Sequence, residues 1–406
     1  MYKTNSKTKN LKNLFPIFQK YPNLIFLDNA STTQKPQILI DSLTKYYTEF
    51  NANVHRGLYK LSEQSTSMYE ESRYKVAKFI NSEPEEVVFC SGTTEAMNLV
   101  TNMLIKSNLV SKDSYILTSI LEHHSSFLPW QQQCENIVFL NLDKDFNIDT
   151  NSVPQKKYDI IVLTLTSNVT GSVINLKDIK NKYADKNTII IVDAAQYIAN
   201  AKINVKDLDA DFLAFSAHKI FGPTGLGVLY INKRLHEKLE PFKVGGGIVE
   251  EVYEKYSTFT KAPNRYEAGT PPIAEVIAFG EVIDFIQMYQ LISDKSDLRR
   301  YLVTKLKEMP EVEVYHPNLD IYAHPVVSFN LKGIHSHDVA QFLGDQNICV
   351  RAGHHCAQLL HRSVFQVNST VRISLSVYNS EEDMDMLVNS LKKCFKFFER
   401  NKTNQT

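Results

Sequence analysis

The chain lacks any apolar run approaching the roughly 20 residues that a membrane-spanning helix needs, so nothing in it reads as a membrane protein. It also lacks an excess of one charge. The 45 Lys plus Arg are matched by 45 Asp plus Glu, which gives no electrostatic reason to expect nucleic acid or an anionic membrane as a partner. Cysteine is scarce: Cys90, Cys134, Cys349, Cys356 and Cys394 are odd in number, widely spaced and without a C-x-x-C pair. That pattern excludes a disulfide framework or zinc knuckle and suits a reducing cytoplasm. There is no internal repeat, low-complexity block or long Gly/Ser linker. The stretch Met1 to Lys12 holds four lysines and no acid, as transit peptides do, but it is short, and apolar residues begin at Leu14 and Phe15. A cytoplasmic protein with no resident metal is the expectation.

What is present points to a large α/β protein. At 406 residues with 43% hydrophobic and 22% charged residues, the chain exceeds one small core, and two lobes are expected. Short apolar runs at Val87–Phe89, Tyr115–Leu117, Ile160–Leu165, Ile189–Val192, Phe212–Phe215 and Val228–Ile231 alternate with helix-like segments. Several are rich in β-branched residues, as strands covered on both faces are, which predicts a largely parallel sheet. Ala274–Leu291 reads as one long helix. After about Ser293 the pattern shifts to a smaller α+β lobe, with helices at Leu298–Leu306 and Asp338–Leu343, strands at Val312–Tyr315, Pro325–Leu331 and Val371–Leu375, and a closing helix from Glu381. The expected division is 14–50 joining the small domain, 51–292 as the large domain and 293–400 as the small one.

Lys219 follows the apolar run Phe212–Phe215 and precedes Gly222-Pro-Thr-Gly225. A lysine at the mouth of a sheet can form a Schiff base with an aldehyde cofactor if burial keeps its amine partly neutral. Ser216 and His218 flank it with groups able to bind phosphate. Ser91-Gly-Thr-Thr-Glu95 opens a helix and offers free N–H groups to an anion, or serves as an ordinary N-cap. Asp193 ends a buried run where ligands of open α/β sheets bind. It can pair with a protonated pyridine nitrogen, or simply cap the next helix. Gln196 lies one helical turn on. His123 and His124 follow a strand and can stack on a flat ring or move protons, or be solvated loop. Asn168 also follows a strand. Arg372 in a strand wants a partner: a substrate carboxylate or a cross-strand salt bridge. Cys356, preceded by Arg351, Gly353, His354 and His355, has the basic, flexible setting of a reactive thiol, whereas Cys349 reads as structural.

Taken together these segments resemble the class V aminotransferase-fold cysteine desulfurases, specifically the group II (SUF-type) desulfurases and selenocysteine lyases. The matching segments are Leu27-Asp-Asn-Ala-Ser31, His55-Arg-Gly57, Ser91-Gly-Thr-Thr-Glu95, Glu122-His-His124, Thr166-Ser-Asn-Val169 and Val192-Asp-Ala-Ala-Gln196. Phe215-Ser-Ala-His-Lys219, Gly245-Gly-Gly247, Arg265-Tyr-Glu-Ala-Gly-Thr-Pro271 and Arg351-Ala-Gly-His-His-Cys-Ala357 follow in family order. Ala217 and Ala194 stand where glycine is common or beside the acid, and both remain small; Ser31 and Thr32 also vary.

The resemblance implies a fold type I, pyridoxal-phosphate-dependent transferase: a large domain with a mostly parallel seven-stranded sheet and a small α+β domain. It implies that Lys219 holds pyridoxal 5′-phosphate and shuttles the α-proton, Asp193 pairs with the pyridine nitrogen and Gln196 with the phenolic oxygen. Thr93, Thr94, Ser216 and His218 would bind phosphate, and Thr270 would reach the other subunit's phosphate in a homodimer. His123 would stack on the ring and act as acid or base; Asn168, Arg351 and Arg372 would bind the substrate. L-cysteine would yield L-alanine and a persulfide on Cys356, passed to an acceptor or iron–sulfur scaffold protein. A selenocysteine lyase and a catalytically inactive scaffold homologue are the alternatives; the latter would be expected to have lost Lys219, Asp193 or Cys356. His335 and His337 can meet a zinc-bearing partner or be plain surface histidines.

Overall fold

Seven strands, β2 Val87–Cys90, β3 Tyr115–Ser119, β4 Asn136–Leu140, β5 Ile160–Thr164, β6 Ile189–Asp193, β7 Phe212–Ser216 and β8 Gly227–Ile231, form the central sheet of the computed structural model, which describes residues 11–403. The question of a leader peptide falls mainly on residues 1–10, outside the described residues. The sheet order is β2-β8-β7-β6-β5-β3-β4, and every neighbouring pair is parallel except those made by β8. Side chains alternate between two cores as the period of 2 demands. Val88, Ile116, Val162, Ile191 and Ala214 pack on one face, while Val87, Leu117, Ile161, Ile190 and Leu213 pack on the other.

Helices cover both faces. The helix Thr93–Lys106 buries Ala96, Met97, Val100, Met103 and Leu104, a single apolar stripe. On the opposite face Ile273–Met288 is apolar nearly all round, because it lies between the sheet and the helix Lys60–Ile80. Those two helices come close at Gly280, where a Cβ would meet Ser72 Oγ at 2.3 Å. Each expected strand is present within a residue or two. Within the central sheet the edge strand β4 is the one the sequence pattern does not single out, since it is only half-buried over most of its length.

The small lobe holds an antiparallel sheet in the order β11-β12-β15-β14, with β11 Val312–Tyr315, β12 Val326–Leu331, β14 Arg351–Gly353 and β15 Thr370–Ser374. The helices Ser296–Lys307, Ser336–Gly344 and Glu381–Thr403 pack on it. The N-terminal segment contributes to both lobes. Strand β1 Ile25–Phe26 pairs with β13 Ile348–Cys349 in the small lobe, whereas Phe15, Phe18 and Leu39 lie in the larger core with Phe221 and Phe285.

Candidate active site

The carboxyl ends of the parallel strands converge on one cleft, where open α/β sheets bind ligands. Strand β7 ends at Ser216, and the tight turn Ala217–Lys219 follows. Gly222 makes the turn possible: a Cβ there would meet Ala217 Cβ at 2.9 Å and Phe279 at 2.6 Å. The turn is held from outside by the loop after β1. The His218 carbonyl accepts from Thr33 N at 3.0 Å, from the Thr33 and Thr32 hydroxyls at 3.1 and 3.2 Å, and from Lys35 Nζ at 2.9 Å. Thr33 Oγ1 in turn accepts from Phe221 N at 2.8 Å, so Lys219 is bracketed on both sides. Among the described residues the Lys219 amine has no hydrogen-bond partner. Desolvation lowers its pKa; the Asp193 carboxylate opposes that shift and the Arg372 cation adds to it.

Asp193 closes β6 at 3% exposure, accepting from Ser126 Oγ at 2.8 Å and Ala195 N at 2.9 Å. Both contacts orient its carboxylate without neutralising it. Gln196 is buried and donates to the Ala30 carbonyl at 2.7 Å. His123 caps the helix His124–Gln131: its Nδ1 accepts from Ser125 N at 3.2 Å, which leaves the proton of the neutral ring on Nε2. Desolvation and the neighbouring Lys219 cation push its pKa down to about 4. Beneath the cleft, Glu122 is fully buried, accepting from Ser119 Oγ at 2.6 Å and Thr164 N at 2.8 Å; desolvation raises its pKa well above the carboxylate range.

At the other end of the cleft the helix Thr93–Lys106 presents its N-terminus with Gly92 as N-cap and no side-chain cap. Thr93 is tied to Ser216, its N–H reaching Oγ at 2.9 Å and its hydroxyl at 2.8 Å. Thr94 is exposed. The approach is close because both partners are glycine: a Cβ on Gly227 would meet Gly92 Cα at 2.4 Å. His218 is driven to about 4 by desolvation and by the Lys219 and Lys35 cations, so it offers a neutral ring. Thr270 is exposed and makes no hydrogen bond to Thr93, Thr94, Ser216 or His218; the cleft within one chain does not gather it. The uncapped helix N-terminus, the unbonded lysine amine and the oriented buried carboxylate fit the phosphate, aldehyde and pyridine nitrogen of pyridoxal 5′-phosphate.

The small lobe supplies the remaining groups. Arg372 on β15 is 3% exposed; Nη2 donates to Asp28 Oδ1 at 3.1 Å and Ser31 Oγ at 2.7 Å, Nη1 donates to the Asn168 carbonyl at 3.2 Å, and Nε is buried without a partner. Desolvation brings its pKa down to about 10 against the pull of Asp28. Arg351 sits directly opposite Arg372 in the ladder, half-exposed, with Nε 3.2 Å from Asp28 Oδ2. Cys356 is the exposed cysteine among the five; Cys349 is half-buried in β13. The loop carrying Cys356 passes through left-handed backbone at His355 (φ 52°) and Cys356 (φ 55°). It is pinned where Asn168 Nδ2 reaches the His355 carbonyl at 2.7 Å and His124 N reaches the Cys356 carbonyl at 2.8 Å. Gln358 N donates to His124 Nε2, and Cys356 N to His354 Nδ1, each at 3.2 Å.

Asp28, Thr33, Lys35, Ser126 and Glu122 are site-supporting residues to which sequence reasoning assigned no role. Asp28 and Glu122 lay within recognised segments, but nothing in the pattern showed what they touch. His335 and His337 stand apart from the cleft at the start of the helix Ser336–Gly344, rings 4.9 Å apart. Among the described residues no group of three or more His, Cys, Asp or Glu is arranged to hold a metal ion.

A two-lobed, mostly parallel α/β fold with a lysine-centred cleft defines a class, and the Aminotransferase class-V family matches residues 25–387. The chain belongs to that family. It is 38% identical over 402 residues, 96% of its length and 98% of the relative's, to a probable cysteine desulfurase of Halalkalibacterium halodurans. It is 35% identical over 409 residues to another of Streptomyces coelicolor, covering 96% and 98%. Among solved structures, the apo cysteine desulfurase of Thermococcus onnurineus superposes with a TM-score of 0.89 at 36% identity, covering 96% of this chain and 98% of that one. The cysteine desulfurase CsdA of Escherichia coli gives 0.85 at 30% identity, again covering 96% and 98%.

Proposed function

We propose that the chain is a cysteine desulfurase: it takes the sulfur of L-cysteine onto Cys356 as a persulfide, releases L-alanine, and hands the sulfur to an acceptor protein for iron–sulfur cluster assembly. The observation that carries this reading is the placement of the exposed thiol. Cys356 rides on a loop bonded to Asn168 and His124, residues that follow β5 and β3 at the rim of the Lys219 cleft. The relatives named above, matched over nearly their whole length, support it.

Asp193, Gln196 and His123 would hold the ring of pyridoxal 5′-phosphate, and Thr93, Thr94, Ser216 and His218 its phosphate, with Thr270 serving the other subunit of a homodimer. When bound, the cofactor supplies a conjugated ring that takes up the electron pair left when the substrate Cα–H bond breaks. Arg372 orients the substrate through its α-carboxylate, with Asn168 and Arg351 beside it. Lys219, whose lowered pKa raises the fraction of neutral amine, accepts the α-proton on Nζ and returns a proton later. The His123 Nε2–H points the other way from its bonded Nδ1 and is free to donate.

Cys356 Sγ, as thiolate, bonds to the substrate sulfur while the substrate Cβ–S bond breaks. The electron pair stays on Cβ, and a proton completes the methyl group of alanine. Two pinned carbonyls and two consecutive left-handed residues restrict this loop, which favours the SUF-type branch, in which the acceptor comes to the cysteine. Free thiols without a paired partner suit a cytoplasmic setting.

The test is alanine release by the cofactor-loaded protein from L-cysteine, with reductant present and L-selenocysteine in parallel. Alanine from cysteine, in turnover or as a single-turnover burst, is the expected result. Alanine from selenocysteine alone, without that burst, would replace the reading by a selenocysteine lyase.

A further inference from the structure

One carboxylate lies between the two arginines that face each other across β14 and β15. Asp28 gives Oδ1 to Arg372 Nη2 at 3.1 Å and Oδ2 to Arg351 Nε at 3.2 Å. Like charges placed directly opposite in a ladder repel, and Arg372 is almost completely buried. Asp28 is therefore the group that makes this pair tolerable in the absence of ligand. It is also a carboxylate on the guanidinium that the proposed function assigns to the substrate carboxylate. Ser31 Oγ and the Asn168 carbonyl take other N–H groups of the same guanidinium, while Nε remains unpartnered.

We propose that Asp28 is a positioning and specificity residue: a built-in counter-ion that holds Arg372 and Arg351 in place and weakens their grip on the α-carboxylate, so that the amino-acid product leaves. This rests on the reading that Arg372 receives that carboxylate. Two carboxylates on one guanidinium repel each other, and in a partly buried site that repulsion is poorly screened. Before ligand arrives, Asp28 offsets one of the two positive charges. A bound α-carboxylate offsets the other, at reduced affinity. The arginine fork stays preorganised throughout, because Ser31, Asn168 and Asp28 hold it from the protein side.

Asp28→Asn isolates the charge, since the amide oxygen keeps one acceptor at nearly the same place. The cofactor-loaded wild type and variant are titrated with L-alanine and with L-alaninamide, which lacks the carboxylate, following the cofactor's visible absorption. The expected result is that L-alanine binds roughly three- to tenfold tighter to Asp28→Asn, with L-alaninamide unchanged; KM for L-cysteine falls in parallel, and L-alanine becomes a stronger product inhibitor. Equal weakening of both ligands would reduce Asp28 to a structural part and overturn the proposal. So would unchanged or weaker L-alanine binding with the amide unaffected.

Arg372→Gln separates the two levels of the argument. If it abolishes the preference for L-alanine over the amide while Asp28→Asn does not tighten L-alanine, only the role of Asp28 fails. If Arg372→Gln leaves that preference intact, the carboxylate assignment fails and the proposal falls with it.

Discussion

At the residue scale the chemistry rests on two nucleophiles in opposite settings: a shielded amine and an exposed thiol. Removing Lys219 takes away the amine that the turn after β7 holds in the cleft, so Lys219→Ala is expected to lose the visible band that the wild type shows when loaded with pyridoxal 5′-phosphate. Cys356→Ala should keep that band and its response to L-cysteine, yet release alanine roughly 10²-fold or more slowly. Full turnover by this variant would rule out a persulfide on Cys356. Both residues were legible from their neighbours in the chain: an apolar run and a Gly-rich turn around Lys219, a basic loop around Cys356. Asp28 was not, because the two arginines it bridges lie 323 and 344 residues away. Local pattern carries no information about such a contact.

At the element scale the cofactor cradle depends on close approaches that glycine permits. Gly227 opens β8 against Gly92, where an added Cβ would strike backbone at 2.4 Å. Gly227→Ala should push back the first turn of the helix Thr93–Lys106, weaken binding of pyridoxal phosphate in an equilibrium titration, and cost about 1–3 kcal/mol of stability.

A second element-level device is the buried pair of Arg73 and Glu267, at 1% and 7% side-chain exposure. It ties the helix Lys60–Ile80 to the segment that carries Thr270, and Glu267 also accepts from Phe89 N at 2.6 Å in β2. Losing one partner strands a buried charge, so Arg73→Met is expected to destabilise by about 3–5 kcal/mol in urea unfolding. Arg73→Met combined with Glu267→Met should recover part of that loss. Strands and helices were readable here because each core strand is a short apolar run, several of them rich in β-branched residues, and each amphipathic helix shows one stripe. The half-buried edge strand β4 lacks that signature, and so does the exposed hairpin of β9 Val249–Val252 and β10 Ser257–Phe259.

At the scale of the whole molecule, pH reaches stability through histidines buried as neutral rings. His324, at 1% exposure, is held down to about 3 by desolvation and the Lys295 cation. His316, at 6% exposure, is held to about 4, chiefly by desolvation. Above pH 6.5, the ordinary histidine value, both are neutral in folded and unfolded chains alike. Below it the unfolded rings take up protons that the folded ones refuse, so stability declines as pH falls from about 6.5 toward 4. The melting temperature should drop across that interval, and His324→Gln should make the drop shallower. An unchanged slope would show that His324 is not among the groups responsible.

The loop from Asp28 to Lys35 also bears on how the enzyme is made. Its threonines and lysine secure the Lys219 turn, while Ala30 N and Asn29 Nδ2 are themselves anchored on Ser374, and Gln34 N on Tyr378. During synthesis the loop leaves the ribosome well before Lys219, and Ser374 and Tyr378 follow well after it. A nascent chain halted before them holds every strand of the central sheet but lacks the clasp that fixes its lysine. The cofactor cleft is thus completed by side chains that lie far beyond the lysine in the chain, and its assembly is expected to wait for the small lobe to dock.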